Sequence, residues 1–358
     1  MLGAIIGDLV GSTYEAHNVR EKDFPLFTSQ SQLTDDSIMT LAVCDIIQKG
    51  YINDEDAIID TLKEWAIAYP DRGYGEEFGQ WAFSDDREPY YSCGNGAAMR
   101  ISPVGWYAKN ISEVKSFSKK ITKVTHNHPD AFKAAEVVAS CIYYARRGKS
   151  KDFLKSYIEK YYDIDFVYED LVEENDFDCT CEGSVPQALY CFLISTSFQD
   201  CLQTAISIGG DSDTIACIAC SIAEAYYKHI NPKIIELMFE NIPEGDPSPL
   251  DVIYQFQADL EYDYVTSEVL TDKHFVIYVE ENGCGFYGYS KRLIVIKDHI
   301  IERLIKIGFS RINWLRRVLK EATNFESLKE TINEINDNVL EYDISFTLYL
   351  NKEEAKIL

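Results

Sequence analysis

The sequence predicts a mainly α protein: an all-helical domain over residues 1–256, followed by a small α+β domain over residues 257–358. Three observations point there. Apolar residues recur at three-and-four spacing through most of the first 256 residues, punctuated by glycine, proline and capping side chains. After a turn-rich break at Pro243–Pro249 the chain changes character, to β-branched and aromatic runs. At 358 residues it also exceeds the size at which one hydrophobic core keeps growing, so a large unit with a smaller one is expected. A hydrophobic content of 46% with 24 Tyr and 18 Phe excludes a disordered chain despite a net charge of −25.

Leu2, Ile5, Ile6, Leu9 and Val10 predict a buried helix over 2–16, with Gly3, Gly7 and Gly11 lining one side for a close helix crossing. Residues 17–33 have no period and read as a loop. Helices follow at 36–49, stopped by Gly50, and at 54–69, stopped by Pro70. Pro70 to Gly75 is a turn. The Gly94–Arg100 run is glycine-rich, and Thr125–Pro129 leads into a helix over 130–147, with 150–160 helical again. The acidic stretch from Asp163 to Glu182 reads as a solvated loop with a short helical turn, or as a lip for a cationic segment. Helices are expected from Ser184 to about Thr196, over 199–207, over the apolar run after Asp213, and over 249–260. Beyond these, His274–Glu280 and Arg292–Lys297 predict a strand pair around Gly283, Gly285 and Gly288. Helices at 298–307, 310–321 and 325–337 and a strand over 339–350 complete the expected appendage, a partner-binding or dimerisation module by default.

The acidic surface repels phosphate backbones and anionic membranes, so general nucleic-acid binding and membrane docking are not expected. No run reaches the ~20 apolar residues of a membrane span, no secretory leader is visible, and ten cysteines read as reduced thiols, which together predict a cytoplasmic protein. Two similar clusters carry the chemistry: Thr34-Asp35-Asp36-Ser37 and Asp211-Ser212-Asp213-Thr214 each stand just ahead of an apolar helical run. Each alone reads as a helix cap. Together, if the fold joins them, their carboxylate and hydroxyl oxygens suit hard divalent cations.

With these clusters, Gly3-Ala-Ile-Ile-Gly-Asp8, Gly11, Glu15, Gly94-Asn-Gly-Ala-Ala-Met-Arg100 and Thr125-His126 follow one another in an order that resembles the ADP-ribosylglycohydrolase family. The resemblance covers about the first 250 residues. It implies an all-helical catalytic domain and a hydrolase that removes ADP-ribose from an acceptor, a protein side chain such as arginine or a small molecule. It implies two Mg²⁺ (or Mn²⁺) ions held by Thr34, Asp35, Asp36, Asp211, Asp213 and Thr214. It places Glu15 and Asp36 at the attacking water, makes Asp71 an assistant in ring or leaving-group chemistry, and gives Gly73, Tyr74, Gly94, Asn95, Gly96, Met99, Arg100 and His126 to the ligand. From the residues alone, Asp8 reads as a structural hydrogen-bond acceptor, and Arg100 equally as a pyrophosphate contact or a buried arginine paired with an acid. Two other functions fit the same features: a binuclear phosphoesterase, and an immunity protein that neutralises an ADP-ribosylating toxin, with the appendage binding the toxin.

Overall fold

The computed structural model describes residues 1–265 and three strand segments, 274–281, 290–297 and 344–349. Spatial contacts divide the chain into Met1–Ile253 and Tyr254–Leu358. The first unit is helical, its one bridge of β type joining Gly94 to Thr180. Its helices are α1 (Leu2–Gly11), α2 (Asp35–Gln48), α3 (Glu55–Ala68), α4 (Glu76–Ala82), α5 (Gly96–Met99), α6 (Ser102–Tyr107), α7 (Ile111–Lys123) and α8 (Pro129–Arg146). They continue as α9 (Lys151–Ile158), α10 (Tyr168–Glu174), α11 (Cys181–Ile194), α12 (Phe198–Ser207), α13 (Ser212–Tyr227) and α14 (Pro232–Glu240), and α15 (Pro249–Val265) carries the chain across the division.

α13 is the centre of this unit. Apolar and small residues surround it on every side, with Ile215, Ala216, Cys217, Ile218, Ala219, Cys220 and Ile222 all buried, as an all-round hydrophobic helix must be. It packs on α1, α8, α11 and α12. The contact with α1 is close because Gly3, Gly7 and Gly11 carry no side chain: a Cβ on Gly3 would overlap the Cys220 carbonyl, one on Gly7 that of Ala216, and one on Gly11 the Asp213 backbone. The small-residue crossing expected from the sequence therefore exists, and its partner is the helix that begins at the second acid cluster.

Where the structure differs from the expected elements, local chemistry explains it. α1 stops at Gly11 rather than 16, because the Ser12 hydroxyl turns back to the Leu9 carbonyl and Tyr14 N–H closes on Gly11 O. α7 has no counterpart in the expectation. Only Val114, Ser118, Ile121 and Thr122 are buried on it, and two of these four are polar, so its apolar stripe is too narrow to read by eye. α11 begins three residues before Ser184, since the Thr180 hydroxyl caps it at Gly183 N–H, and Pro186 lies within its second turn. The short helices α4, α6 and α14 were also not expected.

In the second unit, β1 (His274–Glu281), β2 (Ser290–Lys297) and β3 (Ile344–Tyr349) form an antiparallel sheet in the order β2-β1-β3. His274 faces Lys297 and Val276 faces both Val295 and Tyr349. This is the expected strand pair with the last strand added on the other side of β1. The helices expected at 298–307, 310–321 and 325–337 lie outside the described residues. Among the described residues no helix is long and apolar enough to cross a membrane.

Candidate active site

The start of α2 meets the start of α13 against the end of α1, and this brings the two acid clusters together. Thr34 is the N-cap of α2 and accepts from Asp36 N–H at 3.3 Å. Asp8, from the last turns of α1, accepts from Thr34 N–H at 3.0 Å, Ser37 N–H at 3.1 Å and the Thr34 hydroxyl at 2.6 Å. It thus fills the structural role read from the sequence. Asp211 occupies the N-cap position of α13 but makes no side-chain cap, so capping does not account for its carboxylate.

Two groups of acids result. Asp8, Asp36 and Asp213 form one, Glu15, Asp211 and Asp213 the other, and within each a carboxylate oxygen of every member lies within 4.8 Å of the others. Asp213 belongs to both. The Thr214 hydroxyl donates to Asp36 Oδ2 at 3.0 Å, leaving Asp36 Oδ1 buried without a partner. Among the described residues none of these acids is in an ion pair. Burial and mutual repulsion push their pKa values up. Burial holds Asp8 at about 6. Burial, then the charges of Asp8 and Asp35, raise Asp36 well above the usual carboxylate range, and burial with Asp36 and Asp211 does the same to Asp213. Exposed Glu15 is raised by partial burial and then by Asp211 and Asp8. An orphaned carboxylate oxygen inside a crowded, anionic, all-oxygen set is what a hard divalent cation would satisfy. The residues present fit one.

The glycine-rich loop approaches from α5. Asn95 is buried, and its amide Nδ2 donates to Asp211 Oδ2 at 2.7 Å and to the Ser184 hydroxyl at 2.8 Å. Its backbone N–H pairs with Cys179 O, while Cys181 N–H pairs with Cys93 O, so the loop is stitched to the segment preceding α11. His126 turns its Nε2 toward Gly94 and Gly96, 3.6 and 3.1 Å from where their Cβ atoms would lie, so a side chain at Gly96 would crowd the ring. Met99 is buried behind the loop, its carbonyl accepting from the Thr40 hydroxyl.

The remaining candidates distribute unevenly. Half-buried Asp35 sits in neither acid group, but its N–H donates to Arg72 O at 2.7 Å, tying the 70–75 turn to the start of α2. Gly73, with φ +84°, lies against Asp35 Oδ1, and Tyr74 packs on Phe78 with its hydroxyl on Tyr69 O. Asp71 is exposed on the same turn. Arg100 does not reach the open side of the loop: it is fully buried, its Nη2 donating to Ile121 O and to the Thr125 hydroxyl. It has no acid partner among the described residues, and its guanidinium is turned to the end of α7 and the turn that precedes α8.

Three residues that build the site, Asn18, Arg20 and Asn175, gave no signal in the sequence. Gly209 and Gly210, with φ +70° and +74°, form the turn into α13, and Asn18, Arg20 and Asn175 grip it: Asn18 exchanges bonds with Gly210, Asn175 donates to Gly209 O, and Arg20 holds Ile208 O, Val172 O and Asn175 O. Asn175 lies in the acidic stretch expected to be solvated. Long-range amide contacts of this kind have no period or spacing in the sequence.

The ADP-ribosylglycohydrolase family profile matches residues 1–258. Among curated proteins, ADP-ribosylhydrolase ARH3 of Homo sapiens is 27% identical over 307 residues, covering 63% of this chain and 84% of its own length. ARH3 of Xenopus tropicalis is 26% identical over 303 residues, with 63% and 85% covered. A putative ADP-ribosyl glycohydrolase of Acanthamoeba polyphaga mimivirus is 24% identical over 289 residues, with 65% and 87% covered. A solved structure described as an ADP-ribosylglycohydrolase-related protein complex superposes with a TM-score of 0.53 at 22% identity, over 70% of this chain and 93% of that one, a likeness of fold. With the profile spanning the whole helical unit and its acid clusters joined at one helix crossing, this chain belongs to the ADP-ribosylglycohydrolase family.

Proposed function

We propose that this protein removes ADP-ribose from an ADP-ribosylated acceptor, a protein side chain such as arginine, by metal-dependent attack of water at C1 of the distal ribose. Its family makes it a hydrolase of ADP-ribose glycosidic bonds. The observation that carries the metal dependence is the pair of three-carboxylate groups sharing Asp213, with Asp36 Oδ1 left without a partner. Asp8, Asp36, Asp213, Asp211 and Glu15, with the hydroxyls of Thr34 and Thr214 and the nearby Asp35, would hold two Mg²⁺ or Mn²⁺ ions, which would supply positive charge for the ribose diol and lower the pKa of water.

The chain's own groups then have definite tasks. Glu15 is the exposed acid of its group, reachable by water and placed to take a proton from the attacking one. The reacting sugar develops oxocarbenium-like positive charge, which the surrounding carboxylates favour. Asn95 fixes the orientation of Asp211 through its 2.7 Å bond. The bare backbone at Gly94 and Gly96, backed by His126, receives the anionic diphosphate, and Gly73 and Tyr74 border the ribose, with Asp71 beside the leaving group. The test is incubation with a panel of ADP-ribosylated acceptors and mass spectrometry of the products. Release of intact ADP-ribose is expected; a mononucleotide would instead identify a phosphoesterase.

A further inference from the structure

Arg100 presents a puzzle that the reaction does not use. It is fully buried, pairs with no carboxylate among the described residues, and has an Nε with no partner. Burying a guanidinium without a counter-charge is costly, so its position calls for a reason. Burial lowers even its pKa to about 10. We propose that Arg100 and Thr125 are positioning residues that hold His126 as an Nε2–H donor aimed at the glycine loop. The inference rests on the reading that this loop receives the ligand's diphosphate.

The chain of bonds is directional. Arginine only donates, so the 2.7 Å contact from Nη2 makes the Thr125 hydroxyl an acceptor. That hydroxyl keeps one proton to give, and His126 Nδ1 lies 2.8 Å away. Burial and then the Arg100 charge hold the imidazole pKa well below its usual value, so the ring is neutral and carries a single N–H. With Nδ1 accepting, that N–H is at Nε2. Nε2 in turn is the atom nearest the vacant Cβ position of Gly96, at 3.1 Å, and lies 3.6 Å from that of Gly94. The opposite tautomer would present a lone pair to the loop and repel an anionic oxygen. Arg100 therefore serves the anion at second hand, by orienting the donor and keeping it neutral rather than by touching the ligand.

The test combines ¹⁵N NMR of histidine-labelled protein with calorimetry of ADP-ribose binding in saturating Mg²⁺. The wild type should show His126 protonated at Nε2 and not at Nδ1, without any ligand. Thr125→Val should lose this preference and bind ADP-ribose roughly tenfold more weakly, the effect of one charge-assisted hydrogen bond. Thr125→Ser, which keeps the hydroxyl, should restore both. An Nδ1–H tautomer in the wild type, a measurement that needs no variant, overturns the proposal, as does a folded Thr125→Val that binds as tightly as wild type. Either result leaves the proposed hydrolase standing. A wild type that binds no ADP-ribose at all removes that reading and this one together.

Discussion

Asp8, Asp36 and Asp213 crowd their oxygens within 4.8 Å at a buried helix crossing, and in the absence of a cation this is a local source of instability. Their function and their stability effects should therefore oppose each other. Asp36→Asn and Asp213→Asn should each abolish turnover, by more than the ~10- to 100-fold typical of residues that only support a metal ligand. Near-normal rates of either variant in saturating Mg²⁺ would remove the site assignment. In chelator the same Asp36→Asn should raise the Tm. The sign follows from linkage: a carboxyl whose folded pKa lies above its unfolded value binds protons more tightly when folded, so its stability penalty is full above the folded pKa and fades as pH falls toward the unfolded one. For Asp8 that window runs from 3.8 up to about 6, and Asp36 is shifted in the same direction. Calorimetric scans should find the Asp36→Asn gain largest at alkaline pH and see it shrink as the solution is acidified; a pH-independent gain would point to packing instead.

At the scale of elements, the α1–α13 crossing is what places Asp213. Gly11 lies so near the Asp213 backbone that any side chain there must push the two helices apart. Gly11→Ala should destabilise by about 1–3 kcal/mol, the usual range for overpacking, and weaken Mg²⁺ binding as Asp213 shifts. Gly79, inside α4, is the contrasting case. A Cβ there meets nothing within 4 Å, so Gly79→Ala should stabilise by about 0.5–1 kcal/mol through helix propensity and leave turnover unchanged. Thermal denaturation of the two variants side by side with Mg²⁺ titration separates the effects. The stretch before α11 acts as an element too, although it has no regular structure. Asn175 secures the Gly209–Gly210 turn and Cys179 the Asn95 backbone, so this strap links the second acid cluster to the glycine loop.

At the scale of the whole molecule, all the acid-group and loop residues precede the division at Ile253. That division falls inside α15, whose Val252 carbonyl accepts from Gln48 on α2 and whose Ile253 is fully buried. A truncation after Val265, which keeps α15 whole, should be soluble and active, while one after Ser248 should lose stability. Circular dichroism and an ADP-ribose release assay on both decide it; an inactive longer fragment would give the appendage a part in catalysis.

Much of this architecture was legible because its signals are local. The 3.6-residue period marked α2, α3, α8, α12 and α13; β-branched and aromatic runs marked β1 and β2; and glycine spacing announced a close crossing of α1, all properties of neighbouring residues. The two acid clusters were visible as motifs for the same reason, each lying at one helix start. What only the tertiary structure decided is how side chains far apart in sequence point. It put Asp213 rather than Asp35 at the junction of the two acid groups, brought Asp8 in beside Asp36, clasped Asp211 with Asn95, and turned Arg100 away from the loop toward Thr125 and His126. Those directions depend on how α1, α5 and α13 pack together, and packing is set by shape and burial across the whole core, which no short stretch of sequence records.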